Sequence, residues 1–139
     1  DVLDQGWHFK SPTVKVTLYT VGIEQSYLTS GKNGDSPDND SFSASSSEGK
    51  SIQIDLTYTY NYQHDKVSEV FTKFKGQSGK TVRDSFIKPN IISWTKEVIA
   101  RYKVSDVLGE KRADVNAALT KYLFLLLLIH IPCCSPFDV

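Results

Sequence analysis

Residues 50–63 read KSIQIDLTYTYNYQ, from Lys50 to Gln63. Ile52, Ile54, Leu56, Tyr58, Tyr60 and Tyr62 fall on one parity. Ser51, Gln53, Asp55, Thr57, Thr59, Asn61 and Gln63 fall on the other. Side chains alternate across an extended chain, so this is a ribbon with one apolar, aromatic-rich face and one polar face. At about 3.3 Å per residue it would span roughly 40 Å, longer than most strands in globular proteins. A strand with one wet face belongs in an antiparallel sheet, and its apolar face needs a cover.

Upstream of the ribbon, Glu48-Gly49 suits a tight turn, because glycine accepts positive φ. Phe42–Ser47 before it reads as a short extended stretch, and the two together as a hairpin. Ser30–Ser41, SGKNGDSPDNDS, is a polar tract read as a flexible loop. Its acids Asp35, Asp38 and Asp40 fail the calcium-loop template: no alternating acidic triplet ends in glycine, and position twelve lacks Glu. Asn39-Asp40-Ser41 fits the glycosylation acceptor pattern, a common chance match. Further back, Pro12 biases Ser11 towards extended geometry, and a strand is expected from Val14 to about Leu28. Trp7 and Phe9 admit two readings. One is a hydrophobic plug capping the sheet, the ordinary fate of such residues; the other is a membrane- or partner-facing pair.

Downstream of Gln63 the period switches from two towards four. Val67, Val70, Phe71 and Phe74 trace one helical face, with Asp65 as a candidate N-cap. Thr81-Val-Arg-Asp84 matches a capping box. Beyond it Ile87, Ile91, Trp94, Val98 and Tyr102 form one stripe, with a kink expected at Pro89. Ser105 is a candidate cap for a last helix burying Leu108, Val115, Leu119 and Tyr122. Gly109 weakens that helix by about 1 kcal/mol relative to alanine. Helices are therefore expected at about 66–75, 81–103 and 105–123, covering the ribbon, with Ile54, Leu56, Tyr58, Ile91, Trp94 and Val98 in one core. The class is α+β: an antiparallel sheet with a long central strand under a set of C-terminal helices.

A chain of 139 residues is of single-domain size. Sixteen basic and sixteen acidic residues cancel, which argues against a nucleic-acid partner. The sequence contains no Met, so it reads as an excised or processed piece, and this piece is expected to be soluble. No apolar run reaches the roughly 18 residues a membrane span needs, and no signal-peptide pattern opens the chain.

Catalytic chemistry is thin. Gly76-Gln-Ser-Gly79-Lys80-Thr81 imitates the end of a phosphate-binding loop, but the motif needs glycine where Phe74 stands, and a strand where a helix is expected. His8, His64 and His130 have no ligand partner three or four residues away. The two cysteines, Cys133 and Cys134, are adjacent and make no zinc pattern or relaxed disulfide. No catalytic, cofactor-binding or metal-ligating residue is expected, and no cofactor.

The whole pattern resembles the SPFH family, also called band 7, which includes stomatin, prohibitin and flotillin. Gly6-Trp-His-Phe-Lys-Ser-Pro12 is similar to the family's G-x-H-F-x-x-P opening. Ser47–Tyr60 is similar to its alternating strand. Ile87-Lys-Pro-Asn-Ile-Ile-Ser-Trp-Thr-Lys-Glu-Val-Ile-Ala100, followed by Tyr102 and Ser105-Asp-Val-Leu-Gly-Glu-Lys-Arg112, is similar to its helices. Together these cover residues 2 to 123, with the prohibitin-like branch nearest. The resemblance implies a domain over 1–123 and a non-catalytic scaffold. Such a protein is held on a bacterial or mitochondrial membrane by a segment outside these residues. It self-associates and organises membrane proteins, among them AAA-type membrane proteases. The alternative from a different class is a small α+β ligand-binding or enzymatic domain with a pocket between sheet and helices. Residues 124–139 depart from the family. The run Leu123–Ile129 there is read as a buried strand, an extension packed on a neighbour, or an altered, non-native end, the last being preferred.

Overall fold

The computed structural model describes residues 2–30 and 40–130. Strands β1 (Glu24–Leu28), β2 (Phe42–Ser45), β3 (Ser51–Ile54) and β4 (Leu56–Tyr60) come first. Helices α1 (Val67–Lys73), α2 (Gly79–Val82), α3 (Lys88–Ile99), α4 (Val104–Leu108) and α5 (Arg112–His130) follow. Strands then helices is the α+β order expected.

The ribbon expected as one long strand is two, broken at Asp55. β3 pairs antiparallel with β2, placing Phe42 opposite Ile54, and β4 pairs antiparallel with β1, placing Leu28 opposite Leu56. β1 ends at Leu28, opposite Leu56, and β2 begins at Phe42, opposite Ile54, so among the described residues no strand residue stands opposite Asp55. The Asp55 carboxylate supplies the missing bonds instead. Oδ1 accepts the Ser30 amide at 3.2 Å and Oδ2 accepts the Ser30 hydroxyl at 3.3 Å. The Asp40 amide donates to the Thr29 carbonyl at 3.3 Å, just before β2. The alternation survives the break. Ile52, Leu56, Tyr58, Tyr60 and Tyr62 are buried, and Ile54 packs partly buried on the same core. Residues 31–39, with most of the flexible-loop reading and the Asn39 acceptor, lie outside the described residues.

The turn before β3 is as expected. The Ser46 amide donates to the Lys50 carbonyl at 2.8 Å, and Gly49 has φ +75°, a conformation that side chains disfavour. The strand expected from Val14 forms only over β1. With Glu24 opposite Tyr60, residues before about 22 run past the end of the ribbon, where the chain turns away at the 3-10 turn His64–Lys66. A strand needs a neighbour, and among the described residues no strand pairs with Val14–Val21.

A single helical rod runs from Gly79 to Ile99, its two α segments joined by a wide π turn at Arg83–Ile87. Pro89 is the reason. It offers no N–H to the Ser85 carbonyl and its ring crowds that oxygen, which a wider turn relieves. The Lys88 amide reaches back to the Arg83 carbonyl, and the Asn90 side-chain amide donates to the Phe86 carbonyl at 2.7 Å. The kink expected at Pro89 is this turn.

Helix starts differ from the sequence reading. Ser78 caps α2, its hydroxyl accepting the Thr81 amide at 3.3 Å. Asp65 lies inside the 3-10 turn and Ser105 inside α4, so neither caps; α1 and α4 begin without a side-chain cap bond. The helix expected at 105–123 is broken into α4 and α5 at Gly109, where a Cβ would stand 2.4 Å from the Ser105 carbonyl oxygen. Leu108, expected to be buried, is exposed on the short α4. α5 continues past 123 to His130, so residues 124–130 are helical and the buried-strand reading does not hold for them. Residues 131–139 lie outside the described residues.

The core lies between ribbon and helices. Tyr58, Tyr62, Leu28, Ile87, Ile91 and Leu123 are fully buried in it. Ile54, Leu56, Tyr58, Ile91, Trp94 and Val98 share it as expected, with Trp94 and Ile54 at its edge. Val115, Leu119 and Leu123 step by four along α5 and present its buried stripe.

Candidate interaction surface

The segment before β1, residues 2–23, is an arm laid along the domain. Most of its large apolar side chains are exposed: Val2, Leu3, Trp7, Phe9, Val14, Val16, Leu18, Val21 and Ile23. Trp7 at 104% and Phe9 at 111% exposure have no shelter, so the plug reading fails. In the plug reading these rings would have covered the sheet end. That place is taken by Tyr19 and Tyr62, which meet edge to face at 5.5 Å between ring centres.

Two anchors hold the arm. The first is at 17–19. The Gly79 amide donates to the Leu18 carbonyl at 3.1 Å, the Thr17 hydroxyl donates to the Gly76 carbonyl at 3.4 Å, and the Tyr19 hydroxyl donates to the Gln77 carbonyl. The Tyr62 hydroxyl donates to the Gly79 carbonyl at 2.9 Å from the other side. A Cβ at Gly79 would stand 3.1 Å from Cε2 of Tyr62 and 3.3 Å from Cδ1 of Tyr19, so glycine here permits close packing. Gly76–Thr81, which imitates a phosphate loop in sequence, is a dock for the arm, and Lys80 is exposed beside it.

The second anchor is near the tip. Nε2 of His64 lies 2.8 Å from Oδ1 of Asp4, and Nδ1 of His64 lies 3.6 Å from Oδ1 of Asp65. Nε2 of His8 sits 2.8 Å from the Asp4 carbonyl oxygen. Sequence reasoning set His8 and His64 apart because they are far apart along the chain; the fold brings both to Asp4. Periodicity carries no signal for such a contact, since the arm is irregular there. Among the described residues no group of three or more His, Cys, Asp or Glu could hold a metal ion.

Elsewhere the polar features are structural. Tyr60 donates its phenol to Glu24 across β4 and β1. Burial first, then the hydrogen bond to Glu24 and the charge of that carboxylate, push the phenol well above its usual range. A shallow depression lined by Ser68, Glu69, Thr72 and Lys73 lies along α1, away from the space between sheet and helices. Among the described residues no helix is long and apolar enough to cross a membrane.

The model of the SPFH domain / Band 7 family matches residues 1–124. The chain belongs to that family. SPFH domains in general are non-enzymatic parts of membrane-associated scaffolds, and the strands-then-helices order seen here carries such a domain. No curated protein matches this SPFH chain.

Proposed function

We propose that this SPFH domain is a prohibitin-like scaffold unit that self-assembles and organises or regulates membrane proteins, AAA-type membrane proteases among them. In this reading the arm carrying Trp7 and Phe9 is the part that meets the membrane surface. The observation that carries it is the full exposure of those two rings on an arm whose residues 17–19 are bonded to Gly76, Gln77 and Gly79 behind them. Exposed apolar side chains gathered on one segment mark an interaction site, and Trp suits the boundary between water and lipid. The arm carries only Asp4, Lys10 and Lys15 as charges among its apolar side chains, so its attraction is chiefly hydrophobic, with a smaller salt-dependent part.

The test is flotation with vesicles of mixed zwitterionic and anionic phospholipid. The chain is expected to float with the vesicles, and Trp7→Ser with Phe9→Ser to stay behind. Flotation unchanged by the double substitution would overturn the assignment of the arm. A folded chain that never floats, and whose only partner is a protein, would replace the membrane with that partner.

A further inference from the structure

We infer that His64 is a proton-controlled latch for the arm, closed when its imidazole is charged and loosened when it is neutral. The latch does not depend on what the arm contacts. Both ring nitrogens of His64 face carboxylates, Asp4 at 2.8 Å through Nε2 and Asp65 at 3.6 Å through Nδ1. A neutral imidazole carries one N–H and no charge; the charged ring can donate to Asp4 while its charge is attracted to both carboxylates. Loss of the proton therefore removes the charge attraction to both carboxylates and leaves Asp4 at most a neutral hydrogen bond, roughly half as strong as a charged one. The Asp4 bond is the one with mechanical meaning. Asp4 belongs to the arm, three residues before Trp7, whereas His64 and Asp65 belong to the turn that ends the ribbon.

His8 donates to the Asp4 carbonyl at 2.8 Å and tightens the same bend of the arm. Lys66, the nearest base in sequence on the turn, is committed to Glu69 at 3.0 Å. Lys10, in the arm, reaches the Val14 carbonyl at 3.3 Å. Histidine changes charge between about pH 5 and pH 8, where carboxylates stay ionised. The closed state is thus favoured where the His64 ring is charged and loosened where it is neutral. His64 is half exposed and Asp4 largely so. The shift in closed-to-open ratio should then be about two- to fivefold, the yield of an exposed ion pair.

The test uses the two tryptophans as separate reporters. In 15N relaxation spectra each indole gives one signal, and Trp94, packed against the core, is the internal control of folding. The Trp7 indole and the amides of residues 3–9 are expected to be more ordered at about pH 5.5 than at about pH 8. The change should follow the signals of the His64 ring in the same sample. Asp4→Asn and His64→Gln should each abolish the change; His8→Gln should keep it. Arm order independent of pH in the unsubstituted chain would overturn the latch. So would a pH dependence that survives Asp4→Asn with the Trp94 signal unchanged.

Discussion

The Tyr62 hydroxyl donates to the Gly79 carbonyl at 2.9 Å, joining the end of the ribbon to the first residue of α2. This contact sits where ribbon, arm and helical rod meet. Tyr62→Phe should cost about 1 kcal/mol and no more, because that carbonyl also accepts the Arg83 amide. Gly79→Ala should cost about 1–3 kcal/mol, since its methyl would press on both Tyr62 and Tyr19. Urea unfolding of the two variants checks the order: the glycine change is the worse.

Burial decides a second pair. Ile91 is fully buried and Ile54 only partly. Ile91→Ala should cost about 2–5 kcal/mol, the range for a closed core site, and Ile54→Ala clearly less. Equal losses in denaturant midpoint would mean that Ile54 is as enclosed as Ile91.

Thr95 points the other way. It is fully buried on α3, and its hydroxyl has no hydrogen-bond partner among the described residues. Thr95→Val keeps the shape and removes a polar atom that is costly to bury. Thermal unfolding should show the variant as stable as the parent or more so. A drop of more than about 1 kcal/mol would mean that the hydroxyl makes a bond worth keeping.

High pH should unfold the domain through Tyr60. The folded protein holds this phenol proton more tightly than the unfolded chain does, because of burial and the neighbouring Glu24 carboxylate. Its contribution is fully present below the unfolded value of about 10 and is lost as pH climbs beyond it. Tyr60→Phe should flatten the alkaline arm of the stability curve. Following absorbance of ionised tyrosine together with circular dichroism shows whether ionisation and unfolding coincide.

Lys80 should be dispensable. It is exposed beside the dock made by Gly76–Gly79, whose carbonyls and amide are committed to residues 17–19 and Tyr62. Lys80→Ala should change stability by no more than about 0.5 kcal/mol. Calorimetric titration with ATP and magnesium should show no heat of binding. Binding tighter than about 100 μM that the substitution abolishes would mean a formed phosphate site.

Much of this architecture was legible because it rests on periodicity. The alternation from Ile52 to Tyr62 fixes a buried face, and the stripe through Ile91 and Val98 fixes the helix face that meets it. The break at Asp55 left no trace in that alternation, since both halves keep one parity; it comes from a side chain bonding to Ser30. Pro89 announced a distortion but not its form, which depended on Asn90 reaching the Phe86 carbonyl. The arm is where the sequence and the structure differ most. A pattern such as Val14-Lys-Val16-Thr-Leu18 states that a strand could form, not that a neighbour exists to pair with it. Trp7 and Phe9 were visible as candidates, yet the bend that aims them depends on Asp4, His8 and His64, and no spacing rule links those three.

The claim that the arm meets a membrane is tested most directly by 19F spectra of the chain labelled with 5-fluorotryptophan, one resonance for each tryptophan. On addition of phospholipid vesicles, the Trp7 resonance should broaden and shift, while the Trp94 resonance reports only the slower tumbling of a still-folded domain. A Trp7 resonance that stays sharp and solvent-exposed with vesicles in excess would contradict the account.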